Sequence, residues 1–307
     1  MLSIVTPGQG SQIAGMLSPW LVGDENIKLT NLFSSVAGID LGELGTKASQ
    51  DEITETDIAQ PLLTTLALIS ASALKLKKRE IVFAGHSVGE FSSCSLAGYF
   101  SATDAIRLVA TRGKAMAMAA TKNATGMSAI LGGDKNTVIN QILKFDLVPA
   151  NVNSDGQIAA SGLLTNLEKL SANPPESTKI RKLNVAGAFH SEFMRSAEDE
   201  LSKAFENVDL REPTYQFISN KDGQLMKIKD DIKSALVSQI TSPVRWDMCQ
   251  ATMKELGVTG MLELAPGGVL TGIAKREMPG VELFAIKSPE DIPAAQDFID
   301  KHARIEG

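Results

Sequence analysis

Cysteine is nearly missing from this 307-residue chain. Cys94 and Cys249 are the two that occur, at a spacing that fits neither a zinc knuckle nor a redox pair, so a buried-thiol role is expected for both and no metal site is expected. Positive charge is also short. The formal net charge is −6, and no basic stripe interleaved with aromatic residues reverses that locally, which argues against nucleic acid as a partner. No apolar run approaches the ~20 residues that span a bilayer. The segment Met1 to Pro7 has no basic stretch before its short apolar run, unlike a secretory leader. No membrane association is expected, and a reducing cytoplasmic setting is. Histidine is scarce as well, with three in the chain.

What remains has the composition of an ordinary globular protein, 43% hydrophobic and 21% charged. At this length, one large domain or a domain carrying a smaller insert can bury a full core. Short β-branched apolar runs, each followed by a glycine-bearing loop and a helical period, recur near both ends. The clearest are Leu2 to Val5, Ile81 to Ala84 and Met261 to Leu264. That alternation predicts an α/β protein with a parallel sheet, whose functional loops gather at the carboxyl ends of the strands. The middle, Thr125 to Ala188, reads differently: strand-like pieces at Met127 to Leu131, Gln157 to Ala160 and Ile180 to Val185 alternate with two helical stretches. A small α+β insert is expected there, with a turn at Asn173-Pro174-Pro175 before its last strand. From Lys287 onward the chain reads as a polar peripheral helix.

Gly85-His86-Ser87-Val88-Gly89 follows an apolar run and precedes the helical stretch Glu90 to Tyr99. This is the strand, tight turn and helix of a nucleophile elbow: glycines let strand and helix approach closely, and the serine is raised at a helix N-terminus. The amide after it, that of Val88, faces developing negative charge. Alone, the five-residue pattern is more often an ordinary glycine turn; its context favours Ser87 as nucleophile. A serine needs a base. His86 is adjacent in the turn and His302 lies in the tail, so His190 remains, in a run from strand to small-residue loop, Val185 to Ser191. A lone histidine there would otherwise read as a helix cap. Glycines on both sides of Gln9 free its backbone N–H to serve as a second oxyanion donor. The same turn lacks the lysine and spacing of a phosphate loop.

With these residues in place the sequence resembles the malonyl-CoA:acyl carrier protein transacylases, relatives of the acyltransferase domains of polyketide and fatty acid synthases. Eight ordered motifs carry the resemblance: Pro7 to Gln12, Gln60-Pro61, Gly85 to Glu90, Arg112 to Met116, Asn151 to Gln157, the His190 loop, Gln239 to Trp246, and Pro266 to Gly272. It implies a large α/β-hydrolase-like subdomain, 1–124 and 189–307, with a small ferredoxin-like subdomain, 125–188, inserted between the arginine and histidine motifs. It further implies that Ser87 is acylated, His190 is its base, the amides of Gln9 and Val88 form the oxyanion hole, and a backbone carbonyl at Gln239 orients the histidine. Arg112 is implied to grip the malonyl carboxylate; position alone does not choose between it and Arg107. Gln60, Met116, Asn153 and Phe189 are implied substrate contacts, and the bulk of Phe189 favours malonyl over branched groups.

The implied reaction moves malonyl from malonyl-CoA to the phosphopantetheine thiol of acyl carrier protein through a malonyl-serine, with coenzyme A thioester as substrate, no permanently bound cofactor, and a monomeric enzyme. The chain departs from the family pattern at Asp155 and Ala188, where proline is usual, and at Ala265, where glycine is. Basic residues Lys75, Lys77, Lys78 and Arg79, or Lys275 and Arg276, are candidate carrier contacts, against the commoner reading of solvated surface. Rival readings are a serine thioesterase or esterase, which would want an acidic triad member, and an inactive scaffold.

Overall fold

A computed structural model describes residues 1–77 and 79–305; Lys78 therefore lies outside the described residues. In chain order the elements are β1 (Leu2–Thr6), α1 (Asp24–Ala37), α2 (Leu41–Lys47), α3 (Thr56–Ser72), β2 (Ile81–Gly85), α4 (Gly89–Ala97) and α5 (Ala102–Ala120). Then come β3 (Thr125–Gly132), α6 (Lys135–Lys144), β4 (Val148–Ser154), β5 (Gln157–Leu163), α7 (Leu164–Ala172) and β6 (Thr178–Lys182). The chain closes with α8 (Arg195–Ala204), β7 (Gln216–Ile218), α9 (Asp231–Ser238), α10 (Trp246–Glu255), β8 (Gly260–Glu263), α11 (Val269–Glu277), β9 (Glu282–Ala285) and α12 (Ile292–His302).

Two sheets result. The first is parallel, in the order β7-β2-β1-β8-β9. Helices cover both its faces, which is why β1 and β2 are buried at every position and read as unbroken apolar runs. The register pairs Thr6 with Gly85, so the loops leaving β1 and β2 emerge side by side. Those loops carry Gln9 and Ser87.

The second sheet is antiparallel, in the order β4-β5-β3-β6. Its strand β4 was not foreseen. The stretch carries a proline and two asparagines and bulges twice, between Pro149 and Asn151 and between Val152 and Ser154, so it lacks the alternation that marks a strand. The expected last strand, Ile180 to Val185, lies earlier, at Thr178–Lys182; Leu183 N still donates to Met127 O at 3.0 Å, and the chain then goes on irregularly through Val185. β4 also pairs with the first domain. Val152 N donates to Val244 O at 2.9 Å and Val244 N to Ala150 O at 2.8 Å, and Gln250 Nε2 donates to Asn153 O at 2.9 Å. Lys135 adds ion pairs to Asp155 at 2.9 Å and Asp247 at 3.2 Å.

The C-terminal helix is peripheral yet not polar throughout. Ala295, Ile299 and His302 of α12 are buried, and the His302 ring lies 4.5 Å from that of Phe298, so His302 is a packed residue and no loose tail. Among the described residues no helix is long and apolar enough to cross a membrane.

Candidate active site

The turn between β2 and α4 is held in a costly shape. Ser87 has a φ of 53°, left-handed backbone that disfavours a non-glycine residue by ~1–2 kcal/mol. Glycine is required on either side. A Cβ on Gly85 would stand 2.2 Å from the Gly89 carbonyl carbon, and one on Gly89 2.3 Å from Thr6 O. Polar groups offset the strain: Ser87 N donates to Asn220 Oδ1 at 2.8 Å, and Asn220 Nδ2 donates to Gly85 O at 2.6 Å. Gln239 Nε2 donates to Ser87 O at 3.0 Å.

His190 arrives from the opposite side, on the loop that follows the second sheet, and also has a positive φ, 58°. Its Nε2 lies 2.8 Å from Ser87 Oγ and its Nδ1 2.8 Å from the Gln239 carbonyl oxygen. A carbonyl accepts only, so Nδ1 carries the proton and Nε2 offers its lone pair to the serine hydroxyl. Gln239 caps the end of α9, where a carbonyl has no partner within the helix. Burial, then the nearby Arg112 charge, lowers the His190 pKa to about 3, so the imidazole is neutral at physiological pH.

Arg112, on α5, is 1% exposed. Nη1 donates to Gln60 Oε1 at 2.8 Å, Nη2 to Gln239 Oε1 at 2.9 Å, and Nη2 also reaches Ser87 Oγ at 3.4 Å. Gln60 gets close because Gly113 lets α5 approach α3: a Cβ there would meet Thr56 O at 2.8 Å. The guanidinium lies over the Phe91 ring, 5.7 Å from its centre, and its buried Nε has no acceptor among the described residues. Both acceptors from Gln60 and Gln239 are neutral amides, so the charge is solvated and not cancelled. Burial pulls the Arg112 pKa down to about 10.

These groups face one cavity of about 290 Å³ between the two sheets. Gln9, Val88, Met116, Asn153 and Phe189 line it, together with Ser87, His190 and Arg112. Among the described residues no group accepts from the amides of Gln9 or Val88. Gln60 and Gln239 stand behind the lining, in contact with Arg112. His86 turns away from the serine; its Nε2 meets Asn153 Oδ1 at 2.8 Å. Asp155 is outside the lining and pairs with Lys135. Arg79 is paired with Asp300 at 2.5 Å, while Lys275 and Arg276 close α11. No group of three potential metal-ligating side chains occurs among the described residues.

Sequence reasoning missed Asn220 and the carboxylate of Glu90. Asn220 follows β7, three residues long, too short to mark a strand end. Glu90 left a signal: it is the one charge in Gly89–Ala97, otherwise small and apolar.

The family profile described as acyl transferase domain matches residues 4–287. A malonyl CoA-acyl carrier protein transacylase of Mycobacterium tuberculosis is 47% identical over 296 residues, 95% of this chain and 98% of that protein. The crystal structure of MCAT from Mycobacterium tuberculosis superposes with a TM-score of 0.94 at 46% identity, covering 96% of this chain and 99% of the other. A malonyl-transacylase solved in complex with its type II PKS acyl-carrier protein superposes with a TM-score of 0.88 at 29% identity, over 96% of this chain and 99% of that one.

Proposed function

Because the chain belongs to the acyl transferase domain family, among the malonyl CoA-acyl carrier protein transacylases, we propose that Ser87 is its nucleophile and His190 the base. The protein is an acyltransferase that carries malonyl from malonyl-CoA to acyl carrier protein in fatty acid or polyketide synthesis. The reading of its residues is carried by one observation: Ser87 Oγ, His190 Nε2 and the Arg112 guanidinium meet in a single cavity, at 2.8 and 3.4 Å from the hydroxyl.

Ser87 Oγ attacks the thioester carbon while its proton passes to His190 Nε2, and the tetrahedral oxyanion is received by the amides of Gln9 and Val88. The C–S bond then breaks, the coenzyme A sulfur takes the proton from His190, and malonyl-Ser87 remains. The phosphopantetheine thiol of the carrier repeats the sequence in reverse, its proton going to His190 and returning to Ser87. The Gln239 carbonyl keeps the imidazole in the required tautomer, so no aspartate is needed. Arg112 pairs with the malonyl carboxylate through charge-assisted hydrogen bonds. Gln60 holds Arg112; Met116, Asn153 and Phe189 bound the acyl space. No cofactor enters these steps; coenzyme A is substrate.

We read the architecture as an α/β-hydrolase-like subdomain, 1–124 with 189–307, and a ferredoxin-like one, 125–188. The β-α-β-β-α-β order and the strand sequence β4-β5-β3-β6 support the second. A monomer suffices, since every group named comes from one chain, and a cytoplasmic setting agrees with two unpaired thiols.

Intact-protein mass spectra after mixing with malonyl-CoA test the mechanism. A gain of one malonyl group is expected, absent in Ser87→Ala and discharged by holo-carrier. No gain on the unsubstituted protein would sink it. Free malonate appearing without carrier at the transfer rate would favour the thioesterase alternative.

A further inference from the structure

None of the steps above uses Glu90, a carboxylate 1% exposed in the first turn of α4. Its Oε1 accepts from Asn220 N at 2.6 Å, and its Oε2 accepts from Gln239 Nε2. Each partner reaches onward. Asn220 Oδ1 receives the Ser87 amide; Gln239 donates to Ser87 O, accepts from Arg112 through Oε1, and accepts from His190 through its backbone oxygen. Glu90 is thus one hydrogen bond removed from groups that contact the nucleophile, the base and the cation.

A primary amide has one donating and one accepting end, while an ionised carboxylate accepts only. The group at position 90 therefore dictates which end of Gln239 faces it. With a carboxylate there, the NH₂ must point at Glu90, and the amide oxygen is left for Arg112. We propose that Glu90 is a positioning residue for acyl selection: by accepting from Gln239 it locks that amide so that its oxygen steadies the Arg112 guanidinium for the malonyl carboxylate. This rests on the malonyl-transfer reading.

The isosteric change E90Q reverses one polarity. If the new amide oxygen still accepts from Asn220 N, its NH₂ meets the NH₂ of Gln239. Rotating Gln239 by half a turn relieves that clash but sets its NH₂ against Nη2 of Arg112 and its oxygen against the Ser87 carbonyl. In the first arrangement the facing NH₂ groups push Gln239 off its place against Arg112; in the second Arg112 loses the Gln239 oxygen and keeps Gln60 and the longer contact to Ser87 Oγ. A proton on Oε2 of Glu90 has the same effect, since an O–H then stands where an acceptor is required. Burial pushes the Glu90 pKa up to about 7. The titratable groups around it are Arg112 from α5, Cys94 from α4, Cys249 from α10, and His190 beyond Gln239.

The experiment compares kcat/KM for acylation of Ser87 by malonyl-CoA and by acetyl-CoA, in the wild-type chain and in E90Q. Acetyl carries no carboxylate and makes no demand on Arg112. The expected result is a malonyl constant lowered about 10- to 100-fold, as for loss of a hydrogen bond to a charged group, with the acetyl constant lowered no more than about threefold. Equal losses, or an unchanged ratio, overturn the proposal. Should E90Q not fold, the wild type gives the same reading through pH. The malonyl-to-acetyl ratio then falls about tenfold or more between roughly pH 8 and pH 5.5, a range in which an ordinary carboxyl such as that of malonyl stays ionised. A flat ratio overturns the proposal. Wild-type protein that takes acetyl but no malonyl at any pH would instead remove the functional reading, and this assignment with it.

Discussion

Arg112 directs Nη2 at Oγ of Ser87 from 3.4 Å, so a buried cation stands beside the hydroxyl proposed as nucleophile. In the proposed acyl-enzyme, a three-carbon malonyl group esterified to Ser87 carries its carboxylate beside this guanidinium. The arginine's direct amide partners, Gln60 and Gln239, are neutral and the Glu90 carboxylate stands one hydrogen bond further out, so on the proposed reading a malonyl carboxylate gives the arginine a direct anion that a neutral acyl group lacks.

Arg112→Ala is therefore expected to lower kcat/KM for malonyl-CoA on the order of 10³- to 10⁴-fold while acetyl-CoA acylation is kept or raised. Arg112→Lys should recover little, because an ammonium lacks the planar fork. Competition between the two thioesters, read by intact mass, checks both; an unchanged ratio refutes the assignment.

Two buried groups should make stability depend on pH in opposite directions. His190 falls from 6.5 to about 3 in the fold, a depressed value, so its contribution is present above pH 6.5 and lost as pH falls towards 3. At pH 5 that is 1.5 units at 1.36 kcal/mol each, about 2 kcal/mol lost. Glu90 rises from 4.5 to about 7, so its contribution is full below 4.5 and lost as pH rises through 7. Relative to wild type, His190→Gln should gain about 2 kcal/mol on going from pH 7 to pH 5, and Glu90→Gln should lose about 2 to 3. Urea unfolding at the two pH values measures both.

Asn220→Ala leaves the Ser87 amide without an acceptor and the Gly85 carbonyl without its donor. Each orphaned group costs about 1–3 kcal/mol. A stability loss of about 2–4 kcal/mol is expected, with kcat lowered about 10- to 100-fold and KM little changed, since the elbow shifts while the acyl walls stay. Denaturant melts and steady-state kinetics decide it; wild-type kcat would count against the role of this side chain in shaping the elbow.

Neither thiol should react in the native protein. Cys94 and Cys249 are both fully buried, and burial, with the Glu90 charge second, raises both pKa values well above the ordinary thiol range. Iodoacetamide is expected to modify neither at pH 8 and both after denaturation. Modification under native conditions would show that α4 or α10 opens.

The sequence made the site legible where chemistry is written into a local pattern. The elbow declared itself through glycines at 85 and 89 that no other residue replaces, and His190 through the scarcity of histidine. Two supports of the site escaped for a physical reason: Asn220 and the Glu90 carboxylate act across 133 and 130 residues of chain respectively, and a single sequence records no such pairing. β4 was hidden by its bulges and polar residues, since its partners on both sides supply the backbone bonds that its composition does not advertise. The parallel sheet was readable because burial on both faces leaves unbroken apolar runs.

The seam between β4 and residue 244 fastens the inserted sheet to the rest of the chain. Two main-chain bonds and the Gln250 contact hold β4, whose Asn151 and Asn153 line the cavity, against the segment 244–250, so parting the two would break them. Under the proposed cycle, the donor and acceptor arms both have to reach Ser87 inside one cavity of about 290 Å³, so the first withdraws before the second enters.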